Sequence, residues 1–189
     1  FRLEGGGPSN DPLIIAPESL AFWNLTPTLA EALERDGADP ALASRLSVEG
    51  LEVTTIQEAD GKGARNRFRA VLGLRRPDDL LRVFTIDLPD NSSKTEPGNL
   101  GPARRLFAFR GAGRDGCPEQ IRSLLRVPAW GGYLIATATE DEFNAFHGNT
   151  LYFLADADMV ADGVSAPRRI AVFEVAMKVE GLCMFPQSP

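Results

Sequence analysis

The residues of this chain best suited to chemistry fall in a fixed order near its C-terminal half: Phe109-Arg110-Gly111, then Thr137-Ala138-Thr139, then Glu174. An arginine fork can hold a paired-oxygen anion through two charge-assisted hydrogen bonds. Hydroxyls can orient a carboxylate, and a carboxylate can stabilise developing positive charge. Phe143 offers an aromatic face beside them. Other chemistries find less support. The sole histidine, His147, is flanked by Phe146 and Gly148, and no G-x-S-x-G elbow occurs for a Ser/His/Asp device. There is no G-x-x-x-x-G-K-[ST] loop and no usable G-x-G-x-x-G. One histidine and two distant cysteines give no metal-ligand cluster.

The elements that must position these groups are mostly strands. Gly131–Phe146 is organised around the apolar run Tyr133-Leu134-Ile135, a strand signal, which leads into Thr139-Glu140-Asp141-Glu142, a capping-box spacing that predicts a helix bearing Phe143 and Phe146. Arg105–Arg110 predicts a strand ending at Gly111. Pro118 starts a predicted helix with Ile121, Leu124 and Leu125 on one face, stopped by Pro128. Leu51–Ile56, Asn66–Leu72, Leu81–Leu88, Leu151–Leu154 and Ile170–Val179 read as further strands. Thr26-Pro27 predicts an N-cap and first helical position, with Leu29, Ala32 and Leu33 inward and Gly37 ending the helix. Asp39-Pro40 repeats that signal for a second helix ending by Gly50. Leu13–Ile15 can add an edge strand, and Asp90–Pro102 is a polar linker. The expected class is α+β: a helical and hairpin part over 1–102 and a β-rich part over 103–189, within one compact domain.

Composition bounds the partners. The 189 residues are 43% hydrophobic and 24% charged, with net charge −6. That balance and the lack of a basic run argue against nucleic acid. No apolar stretch reaches the length of a membrane span. The chain starts at Phe1 rather than Met, which reads as a processed or trimmed form. Cys117 and Cys183 permit one disulfide without requiring it, two buried thiols being the plainer reading.

The ordered set Arg110, Thr137, Thr139, Glu174 resembles the pattern of mono-ADP-ribosyltransferases, which carry an aromatic-Arg-Gly, a Ser-Thr-Ser strand end and a late catalytic Glu. Here both serine positions are threonine, and Val172 stands where many members have a second Glu or Gln. The resemblance implies a helical N-terminal part on a two-sheet β-core, NAD as co-substrate, Glu174 as the catalytic carboxylate and a protein acceptor. Arg110, Thr137, Thr139 and Phe143 would hold NAD. It further implies an exported effector or toxin, a setting in which Cys117 and Cys183 would pair. A second register is similar to the enterotoxin-type opening. Phe68-Arg69-Ala70 precedes Arg76-Pro77-Asp78-Asp79, and Asp156-Ala157-Asp158 takes the Glu-x-Glu position. Two rival activities stay open, a non-catalytic binding module on the same fold and an NAD glycohydrolase.

Overall fold

The computed structural model describes residues 3–4, 14–15, 24–39, 42, 47–60, 63–75, 80–88, 100–114, 116–141, 143, 145–174 and 177–184. Strands β1 (Leu3–Glu4) and β2 (Ile14–Ile15) pair antiparallel, and helix α1 (Thr26–Arg35) follows. Strands β3 (Val48–Asp60), β4 (Gly63–Leu74), β5 (Leu80–Asp87) and β6 (Arg104–Arg110) form one antiparallel sheet in that order. Strands β7 (Glu119–Val127), β8 (Gly132–Glu140), β9 (Phe146–Ala155) and β10 (Arg168–Phe173) form a second, again with each strand beside its predecessor. Among the described residues the molecule is mainly β, with one short α-helix.

Two buried clusters explain the layering. Alternate residues of a strand face opposite sides, and both sides of the first sheet are apolar. Val71, Leu81, Val83, Phe107 and Phe109 face the second sheet's Ile121, Leu124, Tyr133, Ile135, Tyr152 and Leu154. Ala70, Leu72, Leu74, Phe84 and Ile86 face Leu29, Ala32 and Leu33 of α1. The first sheet is therefore the middle layer, and its strands carry near-continuous apolar runs rather than alternation. Close approach of the sheets depends on Gly73, where a Cβ would lie 2.5 Å from Ile121 Cγ2.

Helix α1 needs this face, since ten residues hold little helix in water by themselves. Burying Leu29 and Leu33 against the sheet is worth about 1.5–3 kcal/mol each. Its C-terminal end is pinned by charge: the buried Asp36 carboxylate receives Arg82 Nε at 2.6 Å and also pairs with Arg105. At the other end the predicted cap is shifted. Thr26 is already helical, and its N–H donates to Asn24 Oδ1 at 3.1 Å. Asn24→Ala should then cost about 0.5–1 kcal/mol in urea denaturation, and Thr26→Ala less. A larger loss at Thr26 would return the cap to that residue.

Two predicted helices are strands. The segment from Pro118 runs as β7, and the 139–146 segment is the end of β8, a short loop and the start of β9. Asp141 makes that loop: its Oδ1 accepts from Phe143 N at 2.9 Å and Ala145 N at 2.8 Å, an Asx-type turn that competes with helix formation. Those backbone donors hold the Asp141 carboxyl below its usual range, Ala145 first, with His147 adding to it. β10 ends at Phe173 rather than Val179, while β4 and β5, for which the sequence left a hairpin or a strand–helix–strand open, pair antiparallel. For the second helix from Asp39, only a turn at Leu42 is described, and β3 begins at Val48. The rest of it, and most of the 90–102 linker, lie outside the described residues. Cys117 is half-buried and Cys183 exposed, and they form no disulfide.

Three β-bulges carry polar residues, and two of them meet in a charged clasp between the sheets. Glu49, Arg122 and His147 are the extra residues at the register shifts of β3–β4, β7–β8 and β8–β9. The first two meet: Arg122 Nη1 lies 2.6 Å from Glu49 Oε2, and its Nη2 contacts Glu140 Oε1. Arg75, just after β4, closes a ring by contacting Glu49 at 2.5 Å and Glu140 at 2.9 Å. Two arginines and two glutamates thus clasp the first sheet to the second. Burial by itself would lower the Arg75 pKa, but the two carboxylates outweigh it and hold it above the usual value.

Candidate functional site

The threonines that carry the sequence pattern lie on the inner face of β8. Thr137 is fully buried and stands opposite Ile121 and Thr150; Thr139 is buried opposite Glu119 and Gly148. Thr137 Oγ1 donates to Thr150 O at 3.3 Å. The acid accompanying these hydroxyls is Glu119, the first residue of β7 and only 4% exposed. Its Oε1 accepts from Thr150 Oγ1 at 2.7 Å, and its Oε2 accepts from Tyr152 Oη at 2.7 Å. Tyr152 Oη in turn accepts from Ala112 N at 3.1 Å, and its ring meets Phe109 edge-on at 5.4 Å between centroids.

Above this cluster the chain between β6 and β7 makes a glycine-rich loop. Arg114 and Cys117 exchange two backbone hydrogen bonds, of 3.1 and 2.9 Å, with Gly113 and Gly116 at positive φ. The loop borders an open cleft of about 470 Å³ lined by Gly111–Arg114 and Gly116–Glu119. Its size falls within the range of small-molecule sites. Gly111 is required where it stands: a Cβ there would overlap Glu119 Oε2 and lie 2.9 Å from Leu81 Cδ1. Arg114 reaches from the loop to β9, its Nη1 donating to His147 O at 2.9 Å. The same guanidinium occupies the space beside Gly148, which also faces the Phe173 carbonyl.

Arg110 is the exposed last residue of β6, one residue outside the cleft lining. Glu174 is exposed just after β10, and its carbonyl accepts from Met177 N at 2.9 Å. Phe143 is 81% exposed in the β8–β9 loop rather than on a helix. The second register occupies the other end of β8. Asp156 follows Ala155, the partner of Gly132, and binds Arg126 Nη2 at 2.6 Å; Asp158 is exposed in the same short turn. Arg69 donates to Asp87 at 2.6 Å, and that bond is the first cause holding the Asp87 carboxyl below its usual value.

Burial is the main reason the Tyr152 phenol is pushed up to about 12, with the neighbouring Glu119 adding to it. Tyr133 is also raised, chiefly by burial. These are the chain's two tyrosines. Since the folded pKa values exceed the unfolded one, neutral phenols add stability below about pH 10 that is lost as pH rises through the folded values. Absorbance at 295 nm should show well under half the tyrosines ionised at pH 10, with phenolate rising as the fold is lost. Half-ionisation of both at pH 10 would contradict the burial argument.

Sequence reasoning passed over Glu119, Thr150, Tyr152 and Arg114. The available signal was alternation in Thr150-Leu151-Tyr152, with polar groups on the inward side. No helix among the described residues is long and apolar enough to cross a membrane. Among them, no group of His, Cys, Asp or Glu could hold a metal ion. Compared with known proteins, the chain matches no family model, no curated protein and no solved structure.

Proposed function

We propose that the chain is an NAD-dependent mono-ADP-ribosyltransferase acting on a protein, with its site in the cleft bordered by residues 111–114 and 116–119. The observation that carries this reading is the buried Glu119 on the cleft wall, opposite Thr139 in register and bonded to Thr150. Arg114 on the loop and Arg110 beside it supply guanidinium groups for a pyrophosphate. The glycines leave one wall without side chains, so a ligand can approach the backbone. In this reading the ribose–nicotinamide bond breaks and nicotinamide leaves with the bonding pair. The carboxylate stabilises the oxocarbenium-like carbon, and an acceptor side chain attacks that carbon and loses its proton. The family resemblance extends the proposal to an exported effector.

A second reading, a non-catalytic binding module, has one observation in its favour. Both Glu119 oxygens already accept from protein hydroxyls, and Glu174 stands exposed outside the strand. Incubation with labelled NAD and a mixed cell lysate separates the readings. A labelled protein band is the expected result. Nicotinamide release without a band means a glycohydrolase, and neither signal means the binding module.

A further inference from the structure

A second cleft, of about 240 Å³, opens between the C-terminal end of α1, the start of β6 and the turn at Asp162. Arg35, Asp36, Arg104, Arg105 and Asp162 line it, so guanidiniums outnumber carboxylates there in a chain of net charge −6. The acids do not cancel the excess. Asp36 divides its two oxygens between Arg105 and the buried Arg82, which stands outside the lining. Arg35 is held by neutral groups: its Nε donates to Glu31 O at 3.3 Å and its Nη2 to Ala103 O at 2.8 Å. Among the described residues, the Arg104 guanidinium has no hydrogen bond or ion pair, and the exposed Asp162 pairs with none of these arginines.

Two of the three forks are fixed before any ligand arrives. Arg105 is tied to Asp36 and, through Nε, to Ala161 O at 2.6 Å; Arg35 is tied to its two carbonyls. Carbonyls orient a guanidinium without cancelling its charge. The Arg105 and Asp36 side chains are only 16% and 9% exposed, so salt screens this part of the cleft weakly. Guanidiniums held this way suit a phosphate, whose oxygens accept paired hydrogen bonds, and their fixed positions reduce the entropy lost on binding. A phosphate monoester carries about 1.5–2 negative charges near neutral pH, which matches a cationic excess of this size. Asp162 repels a bare phosphate but accepts from hydroxyls, and so favours an ester with a hydroxylated body. The site is separate from the first cleft: Arg104 and Arg110 stand at opposite ends of β6, about 20 Å apart.

We propose that this cleft binds a small phosphate monoester of a hydroxylated compound, with Arg35, Arg104 and Arg105 around the phosphate and Asp162 on a hydroxyl. The test is isothermal titration calorimetry of the full chain at constant ionic strength, above the second phosphate pKa of about 6. The probes are glycerol 3-phosphate, inorganic phosphate and glycerol. Glycerol 3-phosphate should bind at one site, at least about threefold more tightly than inorganic phosphate, and glycerol should not bind. Arg104→Gln should weaken the ester at least about tenfold, the scale of one charge-assisted hydrogen bond. Its urea midpoint should stay unchanged, since that guanidinium has no contact to lose. Arg35→Gln should weaken the ester equally, even where loss of the Ala103 contact lowers the midpoint. Asp162→Asn should tighten inorganic phosphate and narrow its gap to the ester, while Arg110→Gln should leave ester binding as it was. Equal affinity for the ester and inorganic phosphate, or unaltered binding in both Arg35→Gln and Arg104→Gln, would overturn the proposal. So would loss in Arg110→Gln with none in Arg104→Gln, because the ester would then occupy the first cleft.

Discussion

Replacing Arg122 with alanine is expected to destabilise the protein by about 3–5 kcal/mol, the usual cost of stranding one member of a buried ion pair. The Arg122 side chain is 3% exposed and that of Glu140 is 4% exposed. Removing the guanidinium leaves Glu140 inside with Arg75 as its near partner and leaves Glu49 short of one contact. Because the ring joins β3 and the end of β4 to β7 and β8, the loss falls on the clasp between sheets rather than on one hairpin. Urea denaturation should show a lower midpoint with little change in slope. Arg122→Met keeps most of the packing and should still cost several kcal/mol, since the stranded charge dominates. Adding Glu140→Met should recover part of that loss, because the pair's desolvation disappears with it. A cost below about 1 kcal/mol for Arg122→Ala, the value typical of exposed pairs, would mean that the ring is solvated and does not clasp the sheets.

Glu119→Gln is expected to lower ADP-ribosyl transfer by at least about 100-fold, the scale seen when one electrostatic stabiliser is lost. The substitution preserves shape and can still bond to Thr150 and Tyr152, so NAD binding should fall much less than turnover. Glu174→Gln is the necessary companion, because Glu174 is the acid that the family pattern selects. If Glu174→Gln abolishes transfer while Glu119→Gln keeps it, the cleft assignment is wrong and Glu119 only ties β7 to β9. Loss on changing Arg69 or Asp158 would move the site to the opposite end of β8. Gly111→Ala gives a further check, since its methyl would press on the Glu119 carboxylate. It should weaken NAD binding if the cleft is the site.

What the sequence by itself determined follows local chemistry. The apolar runs of β5 and β6, the alternation in β3 and the Pro27–Gly37 helix are written in side chains whose preference needs no distant partner. Their positions agree with the structure, as does the mainly sheet character of the second half. The failures share a cause. β7 reads as a helix because the bulge at Arg122 advances the inward side by one residue, leaving Ile121 and Leu124 three apart, the spacing of a helix face. The Thr139–Glu142 box is indistinguishable from a cap until Asp141 accepts two backbone N–H groups and turns the chain back. Nothing local specifies those choices. The bulge persists because Arg122 finds Glu49, 73 residues away, and the two carboxylates need both arginines. The same holds at the candidate site. Arg110, Thr137 and Thr139 are legible as residue types, but the acid opposite the threonines became Glu119 only through antiparallel register between β7 and β8. Tertiary structure decided that register, since a slip of one residue would carry Glu119 from the buried inner face to the other side of the sheet.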